Sequence, residues 1–377
     1  MEGGGSERQM AALIRNLDRS RFAPELFLLH RSGTLLETLP ADLPIHCYDE
    51  LAPPFYFNWP GRIRNSQIRC LRKLIVERHI NLVYDRTLHM TQITGPATDG
   101  LNVARISTVV AAPIRDFENY EKKYRWLKRR LLARAYRSAD KVLAVSRDLA
   151  AELQRYYHIP SDQVQVLYSP IDQDTILRRA AETFDLIDPP NIELRILCVG
   201  RISDSKGQRD LFDAAKIVLL ERKRRIALHF VGDGPLREQL QRETELLGLS
   251  HEIQFHGFSA NPYPYYRKAD LLCLPSHYEG LPNVVMEAMF LGVPVLATDC
   301  PTGPRELLGD QQYGTLVPVK NPRALADAIV DRIDHPLAWN ERAQAAKTIA
   351  TERHQLKTWL GAIERLFQAT VDARKRR

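Results

Sequence analysis

The chain contains no apolar run approaching the roughly 18 residues that a membrane-crossing helix needs, so no transmembrane span is expected. Its first residues are glycine-rich and polar rather than basic and then apolar, so no signal peptide is expected. The five cysteines, Cys47, Cys70, Cys198, Cys273 and Cys300, are odd in number and scattered. Without a C-x-x-C or a Cys/His cluster among them, they give no support to a zinc site. Several sit in apolar, strand-like runs such as Ile196-Leu197-Cys198-Val199, which reads as small buried hydrophobes in a reducing cytoplasm. A net charge of +7 is modest, and no nucleic-acid-binding module accompanies it, so nucleic acid is not an expected partner.

What is present is enough for two domains. The length of 377 residues exceeds what one core usually organises, and 44% of the residues are apolar. In the first half, strand-like runs at Glu25–His30, Ile45–Tyr48, Asn81–Tyr84, Arg105–Val110, Lys141–Ser146 and Val164–Leu167 alternate with helical stretches at Gln9–Leu17, Ile63–Arg78 and Ser146–Tyr157. Strand–helix alternation implies parallel strands joined by crossovers, hence an α/β layered domain. The pattern breaks around Ser169–Pro190, where a linker is expected.

A second alternation follows. Strands are expected at Arg195–Val199, Ile226–Val231, Ile253–Phe255, Leu271–Leu274, Pro294–Ala297 and Leu316–Val319, with helices at Gln208–Glu221, Leu236–Leu247, Asn283–Leu291 and Pro322–Asp331. A last helix spans about His354–Thr370, and the tail Arg374–Arg377 is expected to be disordered. The domains are therefore drawn as 1–170, 171–353, and a terminal helix and basic tail at 354–377.

Two segments of the second half carry chemistry. Pro275–Glu287 reads P-S-H-Y-E-G-L-P-N-V-V-M-E, placing Glu279 on a loop and Glu287 near the start of a helix. The positive end of that helix points at the loop, and the amides of Gly280, Leu281 and Asn283 can donate to an anion, whereas Pro282 cannot. Gly200-Arg201-Ile202-Ser203-Asp204-Ser205-Lys206-Gly207 supplies cations, with glycines that let the backbone turn tightly. Together they suggest a sugar-nucleotide site: Arg201 and Lys206 on the diphosphate, Glu279 on a sugar hydroxyl, Glu287 on the ribose. A structural acid paired to a base is the competing reading of Glu287. Val231-Gly232-Asp233-Gly234-Pro235 is not a dinucleotide fingerprint; it is either a turn packed near the ligand or a plain turn.

The basic stretch 120–137 carries Lys122, Lys123, Arg125, Lys128, Arg129, Arg130, Arg134 and Arg137, with Trp126 and leucines interleaved. It reads either as a helix resting on an anionic membrane surface or as a solvated helix whose leucines face the core.

The C-terminal constellation resembles the retaining glycosyltransferases of the GT-B fold, family 4. The resemblance is carried by Gly200-Arg201 with Lys206-Gly207, Val231–Pro235, Phe255-His256-Gly257-Phe258, Glu279 through Glu287, and Asp299-Cys300-Pro301-Thr302-Gly303-Pro304-Arg305-Glu306. The N-terminal half matches more weakly, at Gly3–Gln9 and Ala144-Val145-Ser146. The resemblance implies two Rossmann-like domains facing across a cleft, with the C-terminal helix returning to the N-domain. It implies a catalytic set of Glu279, Arg201 and Lys206. The implied donor-binding set adds Gly200, Glu287, Gly280, Leu281 and Asn283, with Gly257 and Phe258 near the base and Gly4 and Gly5 in a closing loop. It further implies a UDP- or GDP-sugar donor, a glycan or lipid-linked acceptor, no cofactor and no metal. The cysteines point to the cytoplasm, and the membrane reading of the basic stretch adds a peripheral place on the inner membrane face as one alternative.

Two departures stand out. The family's histidine after the strand at Ile106–Val110 is absent, since the chain reads Val109-Val110-Ala111-Ala112-Pro113; His89 is a candidate substitute. The family's first apolar strand is also missing before the glycine loop, which suggests an N-terminally truncated chain. Alternatives are a non-catalytic or impaired sugar-nucleotide binder, or a GT-B epimerase.

Overall fold

The structure is a computed structural model and describes residues 5–52, 61–113 and 125–376. The chain divides into two compact units, one formed by Met1–Pro170 with Lys357–Arg377 and the other by Ile171–Leu356.

The first unit begins with helix α1 (Gly5–Asn16), strand β1 (Leu26–Leu28) and strand β2 (Ile45–Cys47), followed by α2 (Arg62–Glu77), β3 (Leu82–Arg86) and α3 (Leu88–Thr98). It continues through β4 (Ala104–Val109), α4 (Arg125–Arg137), β5 (Lys141–Ala144), α5 (Arg147–Tyr157) and β6 (Val164–Val166). All pairings are parallel, in two sheets ordered β1-β2 and β3-β4-β5-β6. Strand β4 is buried along its whole length although Arg105, Ser107 and Thr108 lie within it, and these polar side chains are satisfied by hydrogen bonds to Ser107, Asp85 and Tyr84 respectively. The Ser146 hydroxyl accepts from the Leu149 amide and starts α5, satisfying one of the donors a helix N-terminus leaves open. Helix α3 was not anticipated from the sequence. Its apolar residues surround it rather than forming one stripe, and Pro96 lies inside it, so neither periodicity nor capping announces it.

The second unit contains α6 (Gln173–Ala180), β7 (Leu194–Val199), α7 (Gln208–Lys216), β8 (Ile226–Val231), α8 (Arg237–Leu246), β9 (Ile253–Phe255) and α9 (Tyr263–Lys268). Then come β10 (Leu271–Leu274), α10 (Asn283–Leu291), β11 (Val295–Thr298), β12 (Thr315–Val317), α11 (Pro322–Asp334) and α12 (Pro336–Arg353). Its sheet is fully parallel in the order β12-β11-β10-β7-β8-β9. Strands β7 to β9 grow outward on one side and β10 to β12 on the other. The order therefore reverses between β7 and β10, which pair at Leu271 with Ile196 and Leu272 with Leu197. In open α/β sheets the loops beyond such a reversal diverge and leave a crevice for a ligand. Leu211, Phe212 and Val218 pack with Leu228, Phe230, Leu325, Ile329 and Trp339 in one core.

Three expectations need correction. The stretch Ser169–Pro190 is not all linker, because α6 lies within it, capped by the Asp172 carboxylate accepting from the Thr175 amide. A further helix, α12, fills the stretch between α11 and the terminal helix. The terminal helix α13 (Leu356–Lys375) runs into the basic tail expected to be disordered. Arg374 is held there by Asp140 at 3.4 Å and by the Leu101 carbonyl at 3.1 Å. Phe367 on α13 packs against Phe22 and Tyr84, so this helix belongs to the first unit.

Candidate functional site

The turn after β7 holds Gly200 through Gly207, and the turn after β10 holds Pro275 through Pro282. They are neighbours because their strands flank the reversal. The Lys206 Nζ donates to the Glu279 Oε1 at 2.6 Å, and the Ser276 hydroxyl donates to the same oxygen at 2.7 Å. Glu279 is buried. Burial works to lower the Lys206 pKa, but the charge and hydrogen bond of Glu279 outweigh it and hold the amine above its ordinary range.

Other bonds close the two turns onto each other. The His277 amide donates to the Ser205 carbonyl at 3.0 Å, and the His277 ring meets the Asp210 carboxylate at 2.8 Å. Gly207 has φ +67°, and a Cβ there would collide with the Pro275 carbonyl. From the next turn, the Thr302 hydroxyl donates to the Glu279 carbonyl, and a Cβ on Gly303 would collide with the Gly280 carbonyl. Ser276, His277, Asp210 and Thr302 carry no individual role in the sequence analysis; Ser276 and His277 lie inside the acidic motif and Thr302 inside the Asp299–Glu306 motif, and that membership was the available signal.

Arg201 is exposed on the same turn as Lys206 and forms no ion pair among the described residues. Its carbonyl accepts from the Gln208 side chain at 3.1 Å. Gly200 (φ +144°) donates to the Val231 carbonyl at 2.9 Å. Gly232 sits so close to it that a Cβ would collide with the Gly200 carbonyl, and one on Gly234 would collide with Ile202. The glycines of Val231–Pro235 therefore serve the packing of that turn against the cationic one. Gly257 (φ +70°) accepts from the Gly232 amide at 2.7 Å, and Phe258 beside it is exposed.

Glu287 is buried on α10 and accepts from Tyr266 Oη at 3.0 Å and Tyr263 Oη at 3.5 Å. Both of these donors are phenols on α9. Among the described residues, the amides of Gly280 and Leu281 ahead of α10 donate to no protein acceptor. With Asn283, they stand at the positive end of a nine-residue helix. Cys198 and Cys300 are buried near Lys206, and burial pushes both thiols up to about 12, so neither is a nucleophile here.

In the first unit, Gly5 is the first residue of α1, and Gly4 lies outside the described residues, as do Lys122 and Lys123 of the basic stretch. His89 sits on the exposed face of α3, with its pKa lowered by local desolvation and by the nearby His30 and Lys128. Trp126 and Leu127 on α4 are exposed, and a cavity of about 650 Å³ beside them is lined also by Arg130, Arg137, Tyr156 and Tyr157. No helix among the described residues is long and apolar enough to cross a membrane.

Two family models match the chain: one described as Glycosyltransferase Family 4 over residues 3–175, the other as Glycosyl transferases group 1 over residues 193–335. A curated relative from Campylobacter jejuni, N-acetylgalactosamine-N,N'-diacetylbacillosaminyl-diphospho-undecaprenol 4-alpha-N-acetylgalactosaminyltransferase, is 28% identical over 63% of this chain; the chain spans less than two thirds of that relative's length, at 62%. Among solved structures, Anabaena HepE in complex with UDP superposes with a TM-score of 0.76 at 20% identity, covering 98% of this chain and 97% of that one. A sucrose-phosphate synthase from Thermosynechococcus elongatus gives a TM-score of 0.80 at 17% identity, with coverages of 98% and 94%. These likenesses show a shared fold of two Rossmann-like domains.

Proposed function

The chain belongs to the group 1 glycosyltransferases of the GT-B fold, and we propose that it moves a sugar from a nucleotide-sugar donor to a glycan or lipid-linked acceptor in polysaccharide or glycoconjugate assembly. The observation that carries this reading is the 2.6 Å pair between Lys206 and Glu279, a cation and an acid on the two turns beyond the strand-order reversal. HepE was solved with UDP, and the Campylobacter relative is named for a diphospho-undecaprenol acceptor, which supports a UDP-type donor and a lipid-linked acceptor here.

In this reading Arg201 and Lys206 take the donor diphosphate, Arg201 through its planar fork and Lys206 as a compact charge. The amides of Gly280, Leu281 and Asn283 with the α10 dipole add to them. Negative charge grows on the diphosphate as the glycosidic bond breaks, so cations held in place lower that barrier, without a divalent metal. Glu279 turns from Lys206 to a donor-sugar hydroxyl, Glu287 reaches the ribose, Gly200 lets the backbone approach, and Gly257 and Phe258 border the base. The departing phosphate deprotonates the acceptor on the face it leaves, giving retention of configuration. The exposed Trp126 and Leu127 among arginines would rest α4 on an anionic membrane surface on the cytoplasmic side.

The test is turnover of a panel of UDP- and GDP-sugars by the purified chain, with Lys206→Ala and Glu279→Ala each abolishing it. Full rates in both variants would overturn the assignment.

A further inference from the structure

Arg86 ends β3 and is only 7% exposed. One terminal nitrogen donates to the Gln9 side-chain oxygen on α1, and the other donates to Tyr84 Oη at 3.2 Å. Both partners are neutral. Among the described residues the buried Nε has no acceptor, and no carboxylate lies within ion-pair distance of this guanidinium. The adjacent Asp85 is not its counter-ion. Successive strand residues point to opposite faces, and Asp85 accepts instead from Thr91, Thr94 and Ser107.

A buried cation with only neutral partners is costly, because its lost hydration is not replaced by an opposite charge. Native interiors rarely leave such an N–H unpaired. The position adds meaning. Arg86 stands at the C-terminal end of a parallel strand, where α/β sheets collect ligands. The next residue, Thr87, holds φ +93°, a backbone conformation that costs a β-branched residue energy. The Ser169 hydroxyl shares the Gln9 oxygen at 3.1 Å, and Thr108 donates to Tyr84 Oη at 3.0 Å, so the surrounding dipoles are already committed to one another. The missing partner is an anion brought from outside, and a guanidinium with free N–H groups fits a phosphoryl group in two-point fashion.

We propose that Arg86 recognises a phosphoryl group carried by the acceptor, so that the acceptor is a phosphate or diphosphate ester rather than a neutral glycan. The acceptor role rests on the transferase reading above; the anion site itself does not.

The test uses the full chain carrying Arg201→Ala and Lys206→Ala, which removes the other phosphate-binding cations, with inorganic pyrophosphate as the probe. Pyrophosphate is expected to raise the melting temperature of this host. Adding Arg86→Gln should weaken pyrophosphate binding at least about tenfold, with Arg86→Lys intermediate. Without ligand, the Arg86→Gln protein should melt at or above its parent, since an uncompensated buried charge is gone; a purely structural arginine would lower it. A host indifferent to pyrophosphate, or stabilised equally with Gln at position 86, overturns the site. Calorimetric UDP and GDP binding to the otherwise unaltered chain separates the sources: affinity kept in Arg86→Gln assigns the phosphate to the acceptor, and affinity lost overturns that assignment. Because the pyrophosphate readout needs no turnover, an inactive protein would sink the transferase reading and leave this result standing.

Discussion

Lys206 Nζ lies 2.6 Å from Glu279 Oε1, across 73 residues of chain. The two side chains the donor would need are held by each other, so each is kept in place until a ligand competes. Glu279 keeps the Lys206 amine protonated above its ordinary range. The pair's contribution is therefore complete below the unfolded lysine value, about 10.4, and is lost as pH rises through the raised folded value. Glu279→Gln should speed reaction of Lys206 with an amine-selective reagent at about pH 9, where lysine has begun to deprotonate. Mass spectrometry of the labelled peptide checks this, and an unchanged labelling rate counts against the coupling.

Gly207→Ala should drive the two turns apart. The left-handed backbone and the collision with the Pro275 carbonyl together should cost about 2–4 kcal/mol of stability. Gly248 is the control: its φ is +69°, but a Cβ there meets nothing within 4 Å, so Gly248→Ala should cost only the conformational penalty, about 1 kcal/mol. Urea denaturation of both variants measures the difference. Equal losses would mean the close approach of the turns is not needed.

His229 is buried on β8 between Asp188 at 2.9 Å and His256 at 3.0 Å. Burial first, then the charge of His256, lowers its pKa to about 4, against the raising effect of Asp188; Arg195 also lowers it. The unfolded chain binds this proton near pH 6.5 and the folded chain only near pH 4. Stability should thus be unaffected above the first value and fall progressively as pH drops towards the second. His256, also lowered, acts with the same sign. Melting temperatures between those limits should fall in the parent and fall less steeply in His229→Gln, where His256 alone of the two still titrates.

Tyr266→Phe removes a donor from the buried Glu287 carboxylate and should cost about 1–3 kcal/mol. Glu287→Gln should in addition weaken nucleotide binding about tenfold if the acid also meets the ribose. Thermal melts and calorimetry read the two effects apart. A Glu287→Gln protein that binds nucleotide normally would leave Glu287 a structural role only.

Trp126→Ala should reduce sedimentation of the protein with vesicles containing anionic lipid, and raised salt should weaken binding of the parent as the arginine contribution is screened. Salt-independent binding, or binding equal to neutral vesicles, would argue against the basic helix as the contact.

The strands of the second unit were legible because each is a short, largely apolar run with glycine, proline or an acid on at least one side. β8, β9 and β10 fall where the sequence reading drew them. Helix α10 was legible from Pro282 at its start and Gly292 after its end. Helices α3 and α12 were not, since neither shows a one-sided apolar stripe. The tail's four basic residues suggested disorder, because nothing in the linear sequence shows Asp140 waiting for Arg374.

By itself, the sequence determined the alternation of strand and helix and the placing of the cations and acids on turns that follow strands, since both are local properties of composition and spacing. It could not determine which turns would meet. That was decided by the order β12-β11-β10-β7-β8-β9, which makes β7 and β10 neighbours and so sets Lys206 against Glu279. The same holds for the phenols on Glu287 and for the uncompensated charge of Arg86. Burial and the identity of a partner arise only when distant segments pack, and no local pattern records them.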